Sequence, residues 1–221
     1  MLYDKEKFKK ALTKQKLNFI YNHIKDISNI KILELGVREG LSTSLFLEVC
    51  EKNNGNLISI DINDCGKLFE NAKWNFIHSS DDNFEMINEQ ILKIGELDVI
   101  YIDSLHKDFH VKKVLYNYYN FLKKGGYVFL DDVSWLPYAK SAELENKISN
   151  FNDNQKIFKK ILEIKFTNSD NFDLEFCFEN SGTAKIVKKN FEKLKEPKKV
   201  TKILSITEIF KNILENFFSK S

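Results

Sequence analysis

Residues 32–46, ILELGVREGLSTSLF, change character three times in fifteen positions. Ile32, Leu33 and Leu35 form a short apolar run around one acid, Glu34; Gly36 and Gly40 stand four apart; from Leu41 the chain is rich in hydroxyls and apolar groups, as at a helix start. Strand, turn and helix in that order is the unit from which parallel sheets are wound. The turn lacks the G-x-G-x-x-G pattern that lets a backbone close on a pyrophosphate, because Gly36-x-x-x-Gly40 has no middle glycine. It reads as a ligand loop without a phosphate grip.

The same unit recurs on either side. Apolar spacing predicts a leading amphipathic helix over 5–27, strands at 31–35, 56–60, 74–77, 97–102 and 127–130, and helices near 42–52, 85–94 and 110–122. Asn53-Asn54-Gly55 and Gly125-Gly126 read as stops for the first and last of these helices. Residues 161–167 and 174–178 read as a terminal antiparallel pair joined through Asn168-Ser169-Asp170-Asn171, with a continuation past Gly182 to Val187 left open. Five alternations of strand and helix imply a doubly wound α/β domain with helices on both faces of a mostly parallel sheet. Ligands of such sheets sit at the carboxyl ends of the strands, where Glu34, Asp61, Asp103, Asp131 and Asp132 all fall.

A chain of 221 residues supports one sizeable core, and no linker or repeat is visible. The formal net charge of +2 argues against a nucleic-acid partner, yet residues 185–221 hold ten lysines against four glutamates, so the basic character belongs to the tail. Cys50, Cys65 and Cys177 are odd in number and lack CxxC spacing, which fits a reducing cytoplasm better than a disulfide framework. No apolar run is long enough for a transmembrane segment, and the charged N-terminus lacks the apolar centre of a signal peptide.

An acid at Glu34, a thinned backbone at Gly36 and Gly40, and an acid at Asp61 suit a ligand with an ammonium group, a carboxylate and a ribose diol; S-adenosylmethionine is such a ligand. Glu34 would sit near its amino-acid end and Asp61 would accept both ribose hydroxyls. Four segments, ILELGVREGLSTS, LISID, LDVIYIDSLHKDFHV and LKKGGYVFLDD, resemble class I S-adenosylmethionine-dependent methyltransferases over about residues 32–133. The Ser42-Thr43 pair after the second glycine, and Asp103 followed by His106 before a long helix, resemble the small-molecule O-methyltransferase branch that includes catechol-type and antibiotic-sugar enzymes. The resemblance implies a Rossmann-like methyltransferase fold of seven strands, mostly parallel with a terminal antiparallel strand, over residues 1–190. Glu34, Gly36, Gly40, Ser42, Asp61 and Ser80 are then the expected cofactor contacts, with Ser80 near the adenine.

Asp103, Asp131 and Asp132 end adjacent strands, and three carboxylates in one volume call for a cation; hard oxygen ligands favour magnesium. Catechol-type enzymes hold a metal with acids or amides at these places, where it lowers the acceptor's pKa as a Lewis acid. Loop capping alone is the other role open to the three acids. His106 stands where that family carries its base lysine, so the resemblance implies a general base, and the change from lysine points from a phenol toward a sugar or other alcohol. Metal or substrate contact and a solvated loop remain open to it. His110 is expected to share that face, while His23 and His78 read as structural.

Trp135, Leu136, Pro137 and Tyr138 follow the acid pair and are expected either to wall the acceptor pocket or to pack a loop core. Residues 191–221 read as a basic tail whose Ser205-x-x-Glu208 box opens an amphipathic helix through Phe218. That face fits its own domain or a homo-oligomer contact better than a membrane surface or a foreign partner. The expected activity is methyl transfer from S-adenosylmethionine to a hydroxyl of a small-molecule acceptor, with a divalent metal. The alternatives are a metal-free or N-methyltransferase on the same fold, and a non-catalytic nucleoside-binding module.

Overall fold

The computed structural model describes residues 4–133, 148–179 and 181–201. Its elements run α1 (Lys5–Leu12), α2 (Gln15–Ile24), β1 (Lys31–Leu35), α3 (Leu41–Lys52), β2 (Asn56–Asp61), β3 (Trp74–His78), α4 (Phe84–Ile94), β4 (Leu97–Ile102) and α5 (Asp108–Tyr118). A 3-10 turn (Tyr119–Phe121), β5 (Leu122–Asp131), α6 (Ile148–Thr167), β6 (Phe172–Cys177) and β7 (Thr183–Lys188) follow. The seven strands lie in the order β3-β2-β1-β4-β5-β7-β6, parallel up to β5 and antiparallel across β5–β7 and β7–β6. This is the α/β Rossmann-like arrangement of methyltransferases that the sequence implies, with both edge pairings at one side antiparallel.

Alternation along the strands divides the core in two. Leu33, Leu35, Ile58, Ile60, Ile100, Ile102, Val128 and Leu130 face α4, α5 and α6. Ile32, Leu57, Val99, Tyr101 and Phe129 face α1, α2 and α3. Glu34, Ser59, Asp103 and Asp131 share the parity of this second set, so the chain's own two-residue period aims them toward α2 and α3. That geometry decides which partners they find.

Several boundaries move from their expected places. The leading helix is two helices: Asp4 caps the first by accepting the Glu6 and Lys7 N–H groups, and the chain turns at Thr13 and Lys14 before α2 buries Leu17, Ile20 and Ile24. Gly125-Gly126 does not stop a helix. α5 already ends at Tyr118, and the glycines lie within β5, where the pairing with β4 shifts between Leu97↔Leu122 and Val99↔Tyr127. Residues 161–167 are helical rather than extended, because Ile157, Ile161 and Ile164 repeat at helical spacing and bury one face of α6. The antiparallel pair is instead β6 with β7.

Residues 191–201 carry no helix or strand but are tied back to the domain: Asn168 donates to and accepts from the Lys195 backbone, and the Tyr116 hydroxyl donates to the Lys195 carbonyl. The expected helix from Ser205 to Phe218 and the Trp135–Tyr138 segment lie outside the described residues. Among the described residues no helix is long and apolar enough to cross a membrane.

Candidate functional site

The loop between β1 and α3 is shaped by its two glycines. Gly36 has φ +97° and a Cβ there would stand 2.2 Å from the Asp103 carbonyl oxygen, so only glycine lets the loop pass the end of β4. Gly40, φ +75°, starts α3, and a Cβ would meet the Phe69 ring at 2.7 Å. The two expected cofactor glycines are thus required by the protein's own packing, although Gly36 also lines the cleft described below.

Glu34 is fully buried and accepts hydrogen bonds from Ser42 Oγ (2.6 Å), Thr43 Oγ1 (2.9 Å) and Ser59 Oγ (2.6 Å). Burial pushes its carboxyl up to about 7, and the three hydroxyls pull against that shift. The contact expected between Glu34 and a ligand's amino-acid end is corrected: its strand parity turns it inward, where with Ser42 it braces α3 against β1 and β2. Asp61 has the opposite fate. Its Oδ2 accepts the Val37 (2.8 Å) and Arg38 (2.9 Å) N–H groups, and its Oδ1 accepts the Asn63 N–H (2.8 Å) and side-chain amide (3.2 Å). Burial works against its charge, but the Asn63, Arg38 and Val37 donors outweigh it and hold the carboxyl below its usual range.

Asp61 lines a cleft of about 540 Å³ with Gly36, Ile62, Ser80, Asp81, Asp103 and Leu105, at the carboxyl ends of β1, β2, β3 and β4. That is the size of a small-molecule or cofactor site. Ser80 lies in its wall with its hydroxyl donated to Asp82 Oδ1 at 2.6 Å. A second depression of about 410 Å³ shares Arg38 and Asn63, but none of the strand-end acids lines it.

Asp81 escaped the sequence reading. It is buried, accepts Ser104 Oγ at 2.5 Å, and meets His110 Nε2 at 2.9 Å. The Tyr118 hydroxyl donates to its carbonyl at 2.6 Å. His110 therefore turns into this second cluster instead of sharing a face with His106, because α5 begins only at Asp108 and helical spacing does not reach back to His106. The polar run 79–83 after β3 was the available signal, but nothing in it singled out the third residue.

At the next corner Asp103, His106, Asp131 and Asp132 meet. His106 Nε2 lies 3.1 Å from Asp103 Oδ1 and its Nδ1 2.5 Å from Asp132 Oδ2. The Tyr101 hydroxyl lies 3.1 Å from Asp103 Oδ2 and 3.5 Å from Asp131 Oδ2. Asp132 adopts φ +54°, which carries its side chain off the strand's alternation and toward the imidazole. Burial alone would lower the His106 pKa, but hydrogen bonds and charge from Asp103 and Asp132 raise it to about 10.

Lys16, from α2, was not foreseen: its ammonium is ion-paired with Asp131 Oδ2 and lies 3.3 Å from Ser181 Oγ. Burial, followed by the neighbouring Asp103 charge, holds the Asp131 carboxyl above its usual range. The oxygens that a divalent ion would share are spent on Lys16, His106 and Tyr101, and among the described residues no group of three His, Cys, Asp or Glu is arranged to hold a metal. As placed, Asp103, Asp131 and Asp132 do not fit the expected ion. Of the expected catalytic pair, Asp103 lines the cleft while His106 is not among the lining residues and pairs with Asp103 from beside it, its pKa raised by that carboxylate and Asp132.

Residues 33–133 match the family described as a methyltransferase domain. That match spans 101 of the 221 residues, and the sheet order is that of the Rossmann-like methyltransferase fold. Solved structures share the fold. MycE, a methyltransferase from the mycinamycin biosynthetic pathway in complex with Mg, SAH and mycinamycin VI, is 17% identical with a TM-score of 0.58, over 82% of this chain and 51% of its own. A proposed caffeoyl-CoA O-methyltransferase from Staphylococcus aureus is 19% identical with a TM-score of 0.60, over 79% of this chain and 83% of its own. The SAH-bound methyltransferase PaMTH1 from Podospora anserina is 15% identical with a TM-score of 0.57, over 84% and 87%. The chain spans about half the length of MycE. No curated protein matches the sequence.

Proposed function

We propose that this chain transfers the methyl group of S-adenosylmethionine to a hydroxyl of a small molecule. The observation that supports the reading best is the adjacency of two dissimilar sites: a cleft with Asp61 anchored in its wall, and the Asp103–His106 pair, with Asp103 itself lining that cleft. The nucleoside end of the donor would lie on Asp61, replacing the Asn63 amide, since a carboxylate has about four acceptor positions and all four are in use. The sulfonium would then point toward the carboxylates of Asp103 and Asp132, whose negative charge favours a cation.

The reaction is an in-line displacement. The acceptor oxygen attacks the methyl carbon, the carbon–sulfur bond breaks as the carbon–oxygen bond forms, and the products are a methyl ether and S-adenosylhomocysteine. Most of the catalysis is positioning. The remaining requirement is a place for the hydroxyl proton, and His106 is the group within reach of Asp103 and Asp132 that can hold it. Because those two carboxylates keep His106 charged, it acts as a base only after losing a proton, and the bound sulfonium is a positive charge that works in that direction.

The S. aureus protein's name specifies an oxygen acceptor, which agrees with the histidine base; the MycE complex contains Mg, an ion that Asp103, Asp131 and Asp132 as placed here do not fit. The test is S-adenosylhomocysteine release from the full chain against a panel of sugar, phenol and aliphatic alcohols and of amines. Turnover with an alcohol supports the reading. Turnover confined to amines would overturn the acceptor, and donor binding without turnover on any acceptor would leave a nucleoside-binding module.

A further inference from the structure

We infer that Lys16 is the resident cation of the transfer corner, holding through Asp131 the position that a divalent ion would otherwise take. The inference rests on the reading of this corner as the transfer site, and one of its readouts below is independent of that reading. Asp131 follows Tyr127 and Phe129 in the two-residue period of β5, so its carboxylate projects onto the face covered by α2. Its side chain is 1% exposed, beside Asp103 and Asp132, and a carboxylate in that setting needs a counter-charge.

α2 brings the counter-charge. Leu17 and Ile20 are buried, and the Phe19 ring meets Phe129 edge-on with centroids 6.2 Å apart, so the helix is locked onto the same strand that ends in Asp131. Lys16 thereby sits on a packed helix rather than a loop, with its ammonium on Asp131 and 3.3 Å from Ser181 Oγ. Every oxygen of Asp131 has a partner: Oδ2 takes Lys16 and the Tyr101 hydroxyl, and Oδ1 takes Thr183 Oγ1 at 3.4 Å. A metal ion at this corner must displace an ammonium that the fold has already delivered. Lys16 is a positioning residue in this account, since it acts on the reacting groups through Asp131.

The test is Mn2+ binding to the full chain, read by electron paramagnetic resonance without donor or acceptor, together with methyl transfer in chelator. The wild type should show no saturable site at the carboxylates, and its turnover should survive EDTA. Lys16→Met should gain a single Mn2+ site at least about tenfold tighter than any in the wild type. Asp131→Asn in the Lys16→Met background should abolish the new site, and Lys16→Arg should behave as the wild type. Should Lys16→Met fail to fold, Lys16→Gln carries the same comparison. A wild-type site that is lost in Asp131→Asn and unchanged in Lys16→Met would overturn the inference. Absence of any site in both proteins would also overturn it, since the corner would then have no ion position for Lys16 to hold. Loss of turnover alone, with the Mn2+ results as expected, would count against the proposed reaction and not against Lys16.

Discussion

Asp61 Oδ2 accepts the Val37 N–H at 2.8 Å, which ties the carboxyl end of β2 to the loop that leaves β1. The bond makes Asp61 both a wall of the cleft and a clamp on the loop beside it. Asp61→Ala should therefore weaken S-adenosylmethionine binding by about tenfold or more, since a charge-assisted hydrogen bond contributes roughly 1.5–3 kcal/mol. Calorimetric titration checks it. Unchanged affinity in a folded Asp61→Ala protein would remove the ribose from this position.

Gly36 gives a prediction of a different kind. Its absent Cβ is replaced in space by the Asp103 carbonyl at 2.2 Å, so Gly36→Val must move the end of β4 as well as strain a left-handed backbone. Urea unfolding should show a loss of at least ~2 kcal/mol, accompanied by weaker donor binding. Normal stability with abolished binding would mean that the glycine serves only the ligand.

Glu34 should leave a signature in the pH dependence of stability. Its folded pKa of about 7 lies above the ordinary 4.5, so between these values the folded chain keeps a proton that the unfolded chain has shed. The group's contribution is most favourable below about 4.5 and declines until the pH passes 7, by on the order of 3 kcal/mol in all. Glu34→Gln removes that slope. Unfolding midpoints of the two proteins across this range should therefore diverge as the pH rises, with the wild type losing ground; parallel curves would refute the raised pKa.

His106 should make the reaction faster in base. With its pKa held near 10, the neutral imidazole is scarce at pH 7, and kcat should climb with pH through the neutral region. Asp132→Asn removes one of the two carboxylates that hold the proton and should move the climb to lower pH. His106→Ala should cost about 10²–10⁴ in rate. A flat wild-type profile, or full activity in His106→Ala, would assign proton removal elsewhere.

The sequence by itself determined the strand-and-helix alternation, because two-residue and 3.6-residue periods are local properties, and it determined that the acids would collect at one edge of a parallel sheet. Asp61 and Asp103 were readable as strand-end acids for that reason, since they close β2 and follow β4, whereas His106, four residues past β4, stood out only through the resemblance. Only the tertiary structure decided what those acids touch. Glu34 looks like a ligand group in the string ILELG, yet its parity faces α3, and three hydroxyls from Ser42, Thr43 and Ser59 close over it. Lys16 is one of 34 basic residues and nothing nearby in sequence marks it; it matters because α2 packs on β5, 115 residues downstream. Asp81 became visible only when Ser104 and His110 arrived from β4's far end and from α5. Residues 161–167 were misread because an apolar alternation of seven residues fits either period, and burial of Ile161 and Ile164 against the sheet, a contact no short window contains, selects the helix.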